Sequence, residues 1–350
     1  MNVLILGNMG DRQTGAYISN AFKKADCIVA YLDIRAGIQH MKRDELQSCT
    51  LTEVKNMKWK PDIVLVFKGL ELDFETLKEI KETFPDAKLI NWFFDKYLMD
   101  KPIWEQSGYA DTLKLYDYYF CSLKGVADKL NECGFDNARY LDEGCDLFEN
   151  GEVYMNAFQE RKYGEDIAFC GSLGFSAHQI NRIETLARLV KDGFNIKIWG
   201  DVIGEWKRFP QEIKEAHQKT PVINDMHSMV AQSSVINLGI DQDPELELSH
   251  SARLYRIMCA GGLYLTTATK GLEKMFKINE SKDAPITEDL ELVVYYDLDD
   301  LVAKCDFLLD NDHIAQSIAK NGQKVVIEKH TFIERVKELI EVIKNDKNNN

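Results

Sequence analysis

Short apolar runs recur along the chain, and between them lie helix-length stretches whose apolar residues repeat about every 3.6 positions. This is the βα alternation of a parallel sheet, whose strands, buried on both faces, read as continuous apolar runs. In the first half the runs predict strands at residues 3–6, 28–32, 63–67, 89–93, 118–121 and 138–141. The pattern then restarts, with strands expected at 167–170, 195–199, 235–238, 263–266 and 293–295. Between the two series, 148–165 is polar, contains Gly151 and Gly164 and has no clear period, so it reads as a linker. At the far end Thr331 and Glu334 form a capping-box pattern ahead of a stripe of Phe332, Val336, Leu339, Ile340 and Ile343. This predicts a helix over 331–346.

A chain of 350 residues exceeds what one core usually organises. The expected architecture is α/β, with two doubly wound Rossmann-like domains facing across a cleft. The divisions are 1–160, 161–330, the C-terminal helix 331–346 and a disordered tail 347–350. In such sheets the loops after the strands line the ligand crevice, so chemistry belongs just beyond the carboxyl ends of the runs.

Charge and cysteine content narrow the function. Forty-three basic against 57 acidic residues leave a net charge of −14, which disfavours general nucleic-acid binding. The eight cysteines are scattered, with no Cys-x-x-Cys pair and no His at zinc spacing, which fits a reducing cytoplasm. The first residues lack the features of a signal peptide, and no apolar run approaches the roughly 20 residues that span a bilayer. H-E-x-x-H, G-x-S-x-G and Walker patterns are absent, which removes zinc proteases, serine hydrolases and P-loop enzymes.

Three places carry candidate chemistry. Gly171-Ser172 follows a strand and precedes a helix with the apolar face Ile180, Ile183, Leu186, Ala187 and Val190. A glycine-bearing turn at a helix N-terminus offers N–H groups to a phosphate, and a plain βα turn is the alternative. Arg182, on the polar face of that helix, is either a partner for the same anion or a solvated surface residue. In the second place, Ser249 or Ser251 can cap a helix on which Arg253 and Arg256 share a face. Two guanidiniums there suit a diphosphate, with the acids Asp241, Asp243, Glu245 and Glu247 as alternative partners. The third is Asp95, at the end of an apolar strand, placed to orient a sugar hydroxyl, act as a base or cap the next helix. His250 is the only histidine read into a candidate site.

The second half resembles the donor-binding domain of GT-B glycosyltransferases, in the CgeB-like (spore-maturation-like) subgroup. The resemblance runs through Ile-Ala-Phe-Cys-Gly-Ser at 167–172, Ile-Lys-Ile-Trp-Gly at 196–200, the run from Ser251 to Thr266, and residues 294–301 with 329–335. More loosely, Asn-Trp-Phe-Phe-Asp at 91–95 and Leu-Asp-Glu-Gly-Cys-Asp at 141–146 resemble segments of the family's first domain. The resemblance implies transfer of a sugar from a UDP- or GDP-linked donor, with no metal and no further cofactor, to an acceptor held mainly by the first domain. The acceptor can be a glycan, a protein or a small molecule; the acidic charge lowers the case for a modified DNA base. By position, Gly171 and Ser172 approach the phosphates, Arg182 and Arg253 neutralise them, and Gly261 and Gly262 let the backbone near the nucleotide. Gly200, Asp241, Ser251, Arg256 and Thr266 complete the donor set, and Asp95 joins Arg253 and Arg182 as the catalytic candidates. One departure stands out: the family usually has Glu where this chain has Arg256, and a guanidinium offers no acceptor to ribose hydroxyls. A non-catalytic binding or structural protein and a sugar-nucleotide epimerase of the same fold are the alternatives.

Overall fold

The apolar runs form strands, and each of the two series makes a parallel sheet. The computed structural model describes residues 1–10, 13–98, 101–176 and 179–348. The chain divides into two units, Met1–Glu143 with Phe332–Asn350, and Gly144–Thr331.

In the first unit the strands are β1 (Asn2–Gly7), β2 (Ile28–Asp33), β3 (Ile63–Phe67), β4 (Lys88–Phe93), the short antiparallel pair β5 (Tyr97–Leu98) and β6 (Lys101–Pro102), β7 (Tyr118–Cys121) and β8 (Ala138–Tyr140). The main sheet has the order β2-β1-β3-β4-β7-β8. One of its faces buries Val3, Ile5, Ile90 and Trp92 against Tyr17, Ile18 and Phe22 of the helix Thr14–Lys24, and against Phe332, Val336, Leu339 and Ile343 of the last helix. Trp92 Nε1 donates to Leu141 O at 3.0 Å, so the largest side chain of this core leaves no unpaired N–H.

The second unit contains β9 (Ile167–Cys170), β10 (Leu173–Gly174), β11 (Ile196–Trp199), β12 (Val202–Ile203), β13 (Ile236–Leu238), β14 (Tyr264–Thr267) and β15 (Val293–Tyr295). Its main sheet runs β11-β9-β13-β14-β15, and β10 pairs with β12 beside it. Ile167, Phe169, Ile198, Ile236, Leu238, Leu265 and Val293 share a core with Ile183, Leu186 and Leu189 of the helix Ile180–Lys191.

Three boundaries differ from expectation. The division expected near residue 160 falls at Glu143/Gly144, because Cys145 already packs with Leu254, Tyr255 and Met258, and its N–H donates to His330 O at 3.0 Å. The expected linker belongs to the second unit. Gln232 donates to Val153 O at 3.3 Å and accepts from Val153 N at 2.8 Å, and a helix Ala157–Tyr163 forms behind a capping box of Asn156 and Gln159. The last helix runs Phe332–Asn348, two residues into the expected tail, whose end at 349–350 lies outside the described residues. Among the described residues, no helix is long and apolar enough to cross a membrane.

Candidate functional site

The parallel pairing of β9 with β11 sets Cys170 beside Trp199, so Gly171 and Gly200 meet just past the carboxyl ends of both strands. Gly171 N donates to Trp199 O at 2.8 Å. A Cβ on Gly200 would lie 2.1 Å from Gly171 O, and one on Gly171 would lie 2.3 Å from Arg253 Nη1. Glycine is therefore required at 200 by the close approach of backbone, whereas a side chain at 171 would have to displace the Arg253 guanidinium.

That guanidinium comes from the helix Arg253–Cys259. Its Nη1 donates to Cys170 O at 3.0 Å, and its carbon lies 5.3 Å from the centre of the Phe169 ring. From the other side of the turn, Arg182 Nη1 donates to Ser172 O at 3.0 Å and Gln179 Nε2 donates to Ser172 Oγ at 3.0 Å. The Nε atoms of both arginines and Nη2 of Arg253 are buried and have no hydrogen-bond partner among the described residues. Two cationic groups with N–H bonds left over thus converge on one glycine turn.

A single buried carboxylate sits beside them. Asp241, beyond β13 and only 6% exposed, accepts from Ser251 N at 3.1 Å and from Thr266 Oγ1 at 3.0 Å. Burial pushes its carboxyl above the usual range, while His250 and Arg253 pull it back. The Arg182 guanidinium is lowered to about 10, first by burial and then by the charge of Arg253, against the pull of Asp241. Tyr264, on β14, is pushed up to about 12 by burial and by Asp241. His227, on the helix Asp225–Ser233, is driven down to about 3 by burial and then by Arg256 and Arg253. The lowered values of Arg182 and His227 report the arginines' positive charge, whereas at Asp241 and Tyr264 burial outweighs it, all within a chain of net charge −14.

The structure therefore brings together Gly171, Ser172, Arg182, Gly200, Asp241, Ser251, Arg253 and Thr266, with Arg256 beside His227. Several details differ from expectation. The Gly171 turn does not open a helix: Leu173 and Gly174 stay extended, pairing with Val202 and Ile203, and the helix begins only at Ile180. Arg182 is 8% exposed rather than on a solvated face. The residue directly ahead of the Arg253 helix is Ala252, whose side chain caps nothing, while Ser251 Oγ accepts from Arg253 N at 3.4 Å, in line with its expected capping role, and its own backbone N–H goes to Asp241. Gly261 and Gly262 precede β14, at the end of the sheet away from the arginines. There Gly261 (φ +84°) and Gly262 close the Arg253 helix through bonds to Met258 O and Ile257 O. Asp95 is in the first unit, exposed, caps no helix, and pairs with Lys68 Nζ at 2.7 Å. Asp241-Gln242-Asp243 carries Asp-x-Asp spacing, but both Asp241 oxygens already accept hydrogen bonds within the protein.

Phe169, Gln179, His227 and Tyr264 belong to the site without having been singled out in the sequence. Phe169 and Tyr264 read as strand core. Gln179 and His227 lie on polar faces with no motif around them, and only the tertiary fold sets them beside an arginine or the turn.

Two doubly wound parallel units in one chain are the GT-B fold. Residues 180–341, just under half of the chain, match the family model described as "Glycosyl transferase-like", a span that includes both site arginines. That match supports glycosyl transfer in general. Among solved structures the chain is similar to sucrose-phosphate synthase from Thermosynechococcus elongatus, at 10% identity and a TM-score of 0.67 over 100% of both chains. It is also similar to Anabaena Alr3699/HepE in complex with UDP and glucose, at 10% identity and a TM-score of 0.64 over 98% of this chain and 99% of that one. An alpha-glucosyltransferase in complex with UDP-glucose and DNA containing an abasic site aligns at 10% identity and a TM-score of 0.67, again over 98% and 99%. At these identities the likeness is one of fold. No curated protein matches the sequence.

Proposed function

We propose that the protein transfers a sugar from a nucleoside diphosphate donor, in the manner of the CgeB-like subgroup, with the donor's phosphates seated at the Gly171–Ser172 turn. The observation that carries this reading is the pair of buried guanidiniums, Arg182 and Arg253, which both bond carbonyls at that turn and keep further N–H groups without a partner among the described residues. Leaving-group charge is what the reaction must stabilise, and fixed cations in a desolvated pocket do so without a metal. Asp241 orients the arrangement by tying Ser251, two residues ahead of the Arg253 helix, to Thr266 on β14. UDP and GDP are the proposed nucleotides; UDP accompanies two of the similar structures, in one with glucose and in the other as UDP-glucose. Arg256 adds a cation beside His227 where the subgroup has a carboxylate, so ribose hydroxyls are held by other groups. The first unit takes the acceptor, with Asp95 as its candidate base. Eight free thiols support a reducing, cytoplasmic setting.

The test is a thermal melt with UDP, GDP and ADP and their sugars, since a ligand bound only by the native state raises the melting temperature. Arg253→Ala is expected to keep the fold and lose at least about tenfold in nucleotide affinity, as removal of a charge-assisted contact costs about 1.5–3 kcal/mol. Release of nucleoside diphosphate on adding acceptors separates transfer from epimerisation. If none of the nucleotides shifts the melt, the transferase reading fails in favour of a non-catalytic protein of this fold.

A further inference from the structure

The outer strands of the two main sheets are β2, β8, β11 and β15. An outer strand turns every second backbone N–H and C=O away from the sheet, and native proteins cover or guard that row. Three of these edges are covered. At β15, Asn279 accepts from Val294 N and donates to Val294 O, both at 2.8 Å. At β11, Gln218 N donates to Ile198 O at 2.9 Å, and His217 forms a bridge with Ile198. At β8, three residues long, Ala138 O accepts from Asn131 Nδ2 at 3.3 Å and from Arg139 Nη1 at 2.8 Å.

The fourth edge is bare. Ile28 N donates to Met1 O at 2.9 Å, so Ile28, Ala30 and Leu32 turn their backbone groups to β1, while those of Val29, Tyr31 and Asp33 point outward. Among the described residues, nothing bonds the outward groups of Val29 and Tyr31. The strand, Ile-Val-Ala-Tyr-Leu-Asp, pairs with β1 in unbroken register and holds no Pro, no Lys and no bulge. Ile28 is 69% exposed and Tyr31 53%.

We propose that β2 pairs antiparallel with β2 of a second copy about a two-fold axis, joining the first-unit sheets of two chains into one. With Tyr31 opposite the partner's Tyr31, the two exchange both backbone bonds, and Asp33 N–H meets the carbonyl of the partner's Val29. The Asp33 carbonyl is left for the helix Ile34–His40, which Asp33 caps. Each copy uses its edge once, so the assembly closes at two.

Charge favours a second copy as the occupant. Two chains of net charge −14 repel over most of their surface, but around β2 Lys23, Lys24 and Arg35 stand against only Asp26 and Asp33. In this register Asp26 comes within one position of the partner's Arg35, and both side chains are exposed. The pairing also covers the exposed apolar groups on both faces of the strand. Tyr31 meets the partner's Tyr31 on one, and Ile28 lies diagonally across from the partner's Leu32 on the other.

Light scattering after size exclusion, with the full chain loaded at about 1 to 100 µM, reads the association by mass action. The wild type is expected at twice 40.2 kDa, and Tyr31→Lys, which sets two ammonium groups opposite each other, at 40.2 kDa. Amide exchange reads the edge itself. In the wild type the Tyr31 and Asp33 amides are slowed, and in Tyr31→Lys they quicken while those of Ala30 and Leu32, bonded to β1, stay protected. If the latter two are lost as well, β2 has come away from its own sheet, and Ile28→Lys decides instead. A wild-type mass of 40.2 kDa across the range, a dimer that neither substitution dissociates, or a mass that climbs without limit overturns the proposal.

Discussion

His227 sits in a positive field set by Arg256 and Arg253, and burial adds to the cost of charging it. Its folded value, about 3, is below the ordinary value of about 6.5, so between these limits the unfolded chain binds a proton that the native protein does not. Stability from this group is complete above about pH 6.5 and is lost as the pH falls towards 3. Melting curves from pH 7.5 to 4.5 should therefore show a steeper loss for the wild type than for His227→Gln. Parallel curves would mean that the imidazole does not feel the arginines. Sequence pattern exposed only part of this neighbourhood. Gly171 and Asp241 were legible as a glycine and an acid just past strand ends, and Arg182 and Arg253 as cations near the starts of the helices Ile180–Lys191 and Arg253–Cys259. His227 and Tyr264 were not, since a histidine on a polar helix face and a tyrosine in an apolar strand look the same whether or not an arginine faces them across the fold. Gly261 and Gly262 show the opposite failure: two adjacent glycines that suggest a ligand approach here perform a helix stop.

At the scale of elements, the main strands were legible to within a residue or so because each is a continuous apolar run bounded by polar residues. Four elements of two residues each, β5, β6, β10 and β12, are too short to leave a period. β10 matters most, since its pairing with β12 keeps the Gly171 turn from opening directly into a helix. The helix Ala157–Tyr163 escaped for a related reason: at seven residues it has barely two turns, and its signature lies in the cap rather than in a stripe. Asn156 Oδ1 accepts from both Phe158 N and Gln159 N at 3.0 Å, and Gln159 returns the bond to Asn156 N. Asn156→Ala should cost about 1 kcal/mol and speed amide exchange over 157–163. An unaltered exchange pattern would show that Lys197, whose ammonium donates to the carbonyls of Arg161, Lys162 and Gly164, holds the helix unaided.

Over the whole molecule, the two-unit organisation followed from length and from the restart of the strand pattern, whereas the allegiance of the last helix did not. Its apolar stripe was plain, but a stripe does not say which core it joins. Phe332, Val336, Leu339, Ile340 and Ile343 all join the first unit. At about 1.5–3 kcal/mol for each buried side chain, they supply on the order of the net stability of a domain. A chain ending at Thr331 should therefore lose amide protection in β1, β3 and β4 while β9 and β13 stay protected. Retained protection in the first group would mean that its core closes without the helix.

The same arrangement has a consequence for biosynthesis. The second unit is one uninterrupted stretch, Gly144–Thr331, set between the two pieces of the first unit, so the piece that begins at Phe332 is translated after it. At about 5–20 residues per second, the ribosome takes roughly 10–40 s to deliver that stretch. For that interval the nascent amino-terminal sheet carries an uncovered greasy flank, while the unit begun later can finish first. A stalled or prematurely terminated message would therefore release a half-closed product whose first sheet keeps that flank bare to water.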